Sequence, residues 1–300
     1  MTSVPKLSTV ISWFFYLIPV YLFVLNPLLS QIFPGPISVS SDDGDTFDEF
    51  DKTAAPALNL ADDSFISPED GVPSNCPGEG DGYHVHLLSR EPLVMYIENF
   101  LNHEEAGHLV DVSVNKYTPS IVYDGINERV DPSKRLSDRA LLDRDDTVRC
   151  LEERARAFQG WRPHLYIERM WAQRYNASGH YRHHFDWTGS LAHGGDRLST
   201  FMVYLDADCT GGGTNFPRLR MPPGKQWCRF LECEEDGQHP PPGITFKPIK
   251  GNAIFWENLR PDGTGYPETW HAAFPVSSGT KVGLNIWSWY QPPKRKQRQG

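Results

Sequence analysis

The chain has 300 residues, room for one large domain or two ordinary ones. With 12% aromatic residues, 25 glycines and 25 prolines, its composition favours strands and turns over a helical bundle. A net charge of -9, with no basic run beyond the tail Lys294, Arg295, Lys296 and Arg298, excludes nucleic acid as the main partner.

The first predicted element is an uncharged run from Leu7 to Phe33, nearly all apolar and aromatic between Ile11 and Leu25. It is long enough to cross a hydrocarbon core of about 30 Å, and Pro19 is tolerated in a membrane span. Lys6 precedes the run, whereas Asp42, Asp43, Asp45, Asp48, Glu49 and Asp51 follow it. That asymmetry predicts residues 1–33 as a cytosolic stub with a signal-anchor transmembrane helix. The remainder then faces a lumen, as a single-pass type II protein of the endoplasmic reticulum or another secretory-pathway membrane. A cleaved signal peptide, followed by secretion, is the alternative.

Residues 34–82 are rich in Asp, Ser, Pro and Ala, bury too little apolar surface to offset their ordering entropy, and read as an acidic disordered stem. The folded domain is expected over 83–300, with its core at 165–291. Five cysteines (Cys76, Cys150, Cys209, Cys228, Cys233) contain no C-x-x-C pair, which argues against a zinc knuckle. A lumenal compartment permits disulfides, with Cys228 pairing either Cys233 or Cys209, and an odd count leaves one thiol over.

Within the domain, Leu93 to Ile97 reads as a strand, and a helix follows with Asn102 as N-cap and Glu105 completing a capping box. A second helix fits DRDDTVRCLEERARAFQG, acidic at its start and ended by Gly160. From Leu165 onward the segments are short, aromatic and β-branched, separated by Gly, Pro and Asp. Helices followed by strands, without a βαβ rhythm, predict a mainly β fold with flanking helices and a double-sheet jelly-roll core.

GHYRHHFDWTG, Gly179 to Gly189, concentrates the ligating residues. In a strand, His184 and Asp186 share a face while His183 and Phe185 point away. His180, His183 and His193 are read as bystanders. His271 supplies a third ligand, and two His with one carboxylate leave three metal positions open, as in non-haem Fe(II) oxygenases.

The ordered set of residues resembles the prolyl 4-hydroxylase branch of the Fe(II)/2-oxoglutarate dioxygenases, whose core is a double-stranded β-helix. It comprises Tyr175, His184-Phe-Asp186, GGGTNFP (Gly211 to Pro217), His271 with Pro275-Val276, Lys281 and Trp287. Agreement runs from about Pro92 to Trp289. The resemblance implies His184, Asp186 and His271 as iron ligands, Lys281 on the far carboxylate of 2-oxoglutarate, and Tyr175 and Thr214 as hydroxyl donors beside it. It implies Tyr181, Arg197 and Trp287 as substrate contacts, and Fe(II), 2-oxoglutarate, dioxygen and ascorbate as reaction partners. The expected activity is hydroxylation of proline in a peptide or protein, with a small-molecule substrate as the alternative. A metal-free scaffold domain is the other class, and the intact His184, Asp186, His271 and Lys281 argue against it. The stretch from Pro217 to Phe246 is longer than the compact family pattern and reads as a substrate lid or a lineage-specific loop.

Overall fold

The computed structural model describes residues 65–68, 76, 82–123, 128–234 and 241–293. All belong to the unit Asp51–Gly300, so the expected membrane span at 1–33 lies outside the described residues. Among those described, no helix is long and apolar enough to cross a membrane.

In chain order the elements are β1 (His84–Arg90), β2 (Leu93–Glu98), α1 (His103–Asp111), β3 (Thr118–Pro119), β4 (Val122–Tyr123), β5 (Glu128–Arg129), β6 (Arg135–Leu136), β7 (Asp138–Leu141), α2 (Asp146–Phe158), β8 (Leu165–Ile167), β9 (Trp171–Tyr175), β10 (His180–His184), β11 (Asp196–Gly211), β12 (Thr214–Phe216), β13 (Ile244–Phe246), β14 (Ala253–Glu257), β15 (His271–Ala273) and β16 (Val276–Tyr290). A nine-stranded sheet runs β1-β2-β14-β11-β16-β9-β7-β3, with β8 also on β16. A five-stranded sheet runs β13-β12-β15-β10-β6. A two-stranded ribbon pairs β4 with β5, and this mainly β architecture, two large sheets with few helices, is the jelly roll expected from the sequence.

The side-chain alternation of β11 shows how the layers form. Phe201, Val203 and Leu205 join the helix-side core with Ala106 and Leu109 of α1 and Leu151 and Ala155 of α2. Met202 and Tyr204, one residue out of phase, join the core between the sheets with Phe216, Phe246 and Trp256. Each face of the large sheet is thus apolar, and the helices cover one while the small sheet covers the other. The capping box at α1 is present, with the Asn102 side chain accepting from the Glu105 backbone and Glu105 accepting from the Asn102 N–H.

Four findings depart from the sequence reading. First, β1 is a strand absent from the sequence reading: it precedes the expected Leu93–Ile97 strand, here β2, and the pair extends the large sheet through the β2–β14 pairing. Second, two strands are long, β11 with 16 residues and β16 with 15, because their mutual pairing carries the chain past Gly and Asp positions that locally favour turns.

Third, order begins upstream of residue 83. Ile66 and Ser67 are buried, the Ser67 N–H donates to the Ile167 carbonyl, and Phe65 packs edge-on against Trp289. Cys76 is disulfide-bonded to Cys150 of α2. Parts of the expected stem therefore add to an existing sheet edge, where backbone pairing and a cross-link supply what their composition lacks.

Fourth, the described part of the 217–246 stretch packs into the core. Phe230 stacks on Tyr96 at 4.0 Å, while the Cys228–Cys233 disulfide and the free Cys209 agree with the sequence reading, which allowed that pairing and one thiol over.

Candidate active site

Two of the three predicted ligands lie opposite each other on neighbouring strands. His184 ends β10, and the antiparallel register pairs it directly with His271 at the start of β15. Their ring centroids are 4.3 Å apart. β10 stops at His184, so Asp186 sits in the bend beyond it, yet its carboxylate returns to the same side. Asp186 Oδ1 lies 3.7 Å from His184 Nε2 and 4.0 Å from His271 Nε2. The ligand atoms of the three residues all fall within 4.8 Å of one another. His183 takes the other face, with Nε2 3.1 Å from Asn215 Oδ1 and its ring near Trp270 and Phe274.

The surroundings set the ligating forms. His184 Nδ1 lies 2.8 Å from the Arg182 carbonyl and His271 Nδ1 2.8 Å from the Thr269 carbonyl. A carbonyl only accepts, so each Nδ1 carries the proton and each Nε2 lone pair faces the site. Burial, reinforced by the neighbouring His271, brings His184 down to about 3. Burial lowers His271 as well, although Asp186 opposes the shift. Both imidazoles are therefore neutral near pH 7, as metal ligation requires. Burial works against the Asp186 charge, but His271, His184, Arg197 and the Thr200 hydroxyl together hold its pKa below the usual carboxylate range.

Lys281 is completely buried on β16, across from Tyr175 of β9 in the strand register. Its Nζ sits 4.7 Å from the Tyr175 ring centroid and donates to the Gly212 carbonyl. Gly211 and Gly212 adopt φ of 70° and 71°, a left-handed turn that glycine enters without strain and that aims this carbonyl at the ammonium. Among the described residues no carboxylate pairs with Lys281, and desolvation, opposed by Cys209, brings it down to about 8. A buried cation without an anion is costly, and it fits an anionic co-substrate. The Thr214 hydroxyl is 2.8 Å from the Tyr204 hydroxyl, in a buried pair.

The predicted substrate contacts lie against the ligands, with Tyr181 on His184 and Arg197 beside the Asp186 backbone. Tyr181 stacks on His184 at 3.7 Å, and Arg135 lies 4.5 Å over the Tyr181 ring. The Arg197 guanidinium covers the Trp287 ring at 3.7 Å and donates at 2.7 and 2.9 Å to the two carboxylate oxygens of buried Glu168. The Trp287 Nε1 donor is buried with no hydrogen-bond partner among the described residues.

Sequence reasoning missed Glu168, Arg135, Thr200 and Asn258. An acid within the apolar LYIERM stretch was a usable signal for Glu168. Arg135, on a two-residue strand, carried none.

A protein with two neutral imidazoles and one carboxylate converging inside a double-sheet barrel, and an unpaired lysine beyond them, has the donor set of a mononuclear iron oxygenase. The model of the 2OG-Fe(II) oxygenase superfamily matches residues 170–289. The chain is 31% identical over 217 residues to probable prolyl 4-hydroxylase 7 of Arabidopsis thaliana, covering 69% of this chain and 66% of the relative. It is 29% identical over 221 residues to prolyl 4-hydroxylase 5 of the same plant, covering 70% and 72%. Among solved structures, the viral collagen prolyl hydroxylase of Paramecium Bursaria Chlorella virus-1 in its 2OG complex is similar at 25% identity and a TM-score of 0.49, covering 66% of this chain and 96% of that one. The chain belongs to the 2OG-Fe(II) oxygenase superfamily, as a prolyl 4-hydroxylase-like, 2-oxoglutarate- and Fe(II)-dependent dioxygenase.

Proposed function

We propose that the protein hydroxylates proline residues in peptides or proteins, with His184, Asp186 and His271 holding ferrous iron and Lys281 holding the distal carboxylate of 2-oxoglutarate. The observation that carries this reading is the buried, anion-free Lys281 on the same barrel interior as the triad, in a chain similar to prolyl 4-hydroxylases. Iron with 2-oxoglutarate, dioxygen and ascorbate supplies the oxidation of a proline C–H bond to an alcohol. The protein's own part is positioning. Tyr175 and Thr214 lie on the strands that flank Lys281 and the Gly212 turn, as further donors to the co-substrate. Tyr181, Arg197 and Trp287 form the substrate wall, and the unpartnered Trp287 N–H suits a peptide carbonyl.

The test is 2-oxoglutarate turnover by the full chain with Fe(II), ascorbate and proline-rich peptides, with hydroxyproline detected by mass shift. His184→Ala, Asp186→Ala and His271→Ala should each abolish coupled turnover while leaving the thermal transition in place. Turnover only with small molecules would reassign the substrate.

The reading also places residues 1–33 as a signal anchor and the catalytic domain in the lumen of the secretory pathway. The uncharged run after Lys6 and the acids beyond it support this. In intact microsomes the domain should resist added protease until detergent is present. Digestion without detergent would overturn that topology, and a trimmed soluble product would indicate signal cleavage.

A further inference from the structure

Behind Asp186 lies a buried hydrogen-bond chain that the reaction as proposed does not use. The Trp256 indole Nε1 lies 2.8 Å from Asn258 Oδ1, Asn258 Nδ2 lies 3.0 Å from Thr200 Oγ1, and Thr200 Oγ1 lies 2.8 Å from Asp186 Oδ2. Thr200 and Asn258 have no exposed surface, and Trp256 is 1% exposed.

The direction of every bond is forced. An indole N–H only donates, so Asn258 must turn its oxygen toward Trp256 and its amide N–H toward Thr200. Thr200 Oγ1 accepts that N–H, which leaves its own proton for the carboxylate. All three donors therefore point one way and end on one oxygen, Oδ2, while Oδ1 is the oxygen nearer both ligand imidazoles.

Backbone geometry holds the chain rigidly. Thr200 of β11 and Trp256 of β14 are direct partners in the strand register. Asn258 follows two residues after Trp256, on the same face, with its N–H on the Leu198 carbonyl at 2.8 Å. The Trp256 ring also meets the ring of His271 edge-on at 4.9 Å. One indole thus braces His271 with its ring and Asp186 through two hydrogen-bonded side chains.

We infer that Thr200, Asn258 and Trp256 are positioning residues that lock Asp186 into single-oxygen metal ligation, so that the carboxylate cannot take a further coordination position. The inference rests on reading His184, Asp186 and His271 as the metal ligands. Partners behind a ligand typically shift metal affinity by about 10- to 100-fold. A carboxylate freed at Oδ2 can rotate or chelate through both oxygens, which would occupy a site that co-substrate or dioxygen needs.

The test is anaerobic titration of the full chain with Co(II), reading the dissociation constant and the visible ligand-field bands. Wild type should bind, and Asp186→Ala should bind far more weakly. Thr200→Val, which keeps the shape and removes the hydroxyl, should raise the Co(II) dissociation constant about 10- to 100-fold and shift the bands. Thr200→Ser should restore both. Trp256→Phe keeps a ring on His271 and removes the first donor, so it should move the bands the same way, by less. Thermal transitions measured alongside separate loss of the fold from loss of positioning. If wild type binds no Co(II), the ligand reading falls and the relay with it. If wild type binds and Thr200→Val and Trp256→Phe keep its affinity and bands, the relay is overturned while the ligand reading stands.

Discussion

Arg197 and Lys281 are both cations at the barrel interior, and they are held in opposite ways. Arg197, on β11, is half-buried and paired through two short hydrogen bonds to Glu168. Burial opposes its charge, but Glu168 outweighs burial and moves its pKa up. Lys281, on β16, is fully buried, and among the described residues its partners are the Gly212 carbonyl and the Tyr175 ring face. A satisfied pair supports the wall it belongs to. An unsatisfied charge in low dielectric is destabilising until an anion arrives, so it marks where the fold gives up stability for binding.

The sharpest way to break this contrast is Lys281→Met. Losing one partner of a buried charge pair costs about 3–5 kcal/mol, so the affinity for 2-oxoglutarate should fall by roughly two to four orders of magnitude. The ligand-free protein should nevertheless become more stable, by on the order of 2 kcal/mol, because the desolvated ammonium is gone. Calorimetric titration and thermal melts read the two effects separately. A less stable ligand-free variant with unchanged co-substrate affinity would make Lys281 an ordinary structural residue.

Glu168→Gln should do the reverse and lower stability without touching the co-substrate. The loss should be about 2–3 kcal/mol, short of a fully buried pair because Arg197 keeps a path to solvent. Urea denaturation would measure it, and an unchanged midpoint would show that the pair contributes nothing.

The pH dependence sharpens the comparison further. With Lys281 near 8 in the ligand-free fold, the ammonium is in place below that pH. Above it, binding a dianion requires proton uptake, so 2-oxoglutarate affinity should fall by up to about tenfold per pH unit. Lys281→Arg, charged throughout, should bind more weakly at neutral pH but show no such fall. Stability of the ligand-free protein should move the other way. The unfolded chain, with its lysine near 10.5, binds more protons between about 8 and 10.5, so stability rises with pH in that window.

The smallest effect is expected at His183, whose Nε2 faces Asn215 on the outer side. His183→Ala should keep metal affinity and turnover within about twofold, since a side chain off the site contributes little beyond local packing.

How much of this was legible before the fold is clearest from individual residues. Asn102 and Glu105 specify their own helix start, because a capping box spans only three residues of separation. The alternation around His184 separated it from His183, since strand periodicity is local. The ordered motifs from Tyr175 to Trp287 carried the family. The sequence by itself therefore determined both helices, the strand at Leu93–Ile97, the ligand types and the chemistry they suit.

Tertiary structure decided the rest. The facing of His184 and His271 depends on a strand register, and that register is set by which sheet face is buried. The partner of Arg197 lies 29 residues upstream, with β9 and β10 between the two in sequence. The order of the Thr200, Asn258 and Trp256 donors depends on the β11–β14 pairing. Above all, the charge that makes Lys281 informative is a matter of what is missing around it. Any lysine after a Ser-Gly-Thr turn reads as solvated until the long β11–β16 pairing carries it inside, because desolvation belongs to the packed barrel and to no segment of the chain.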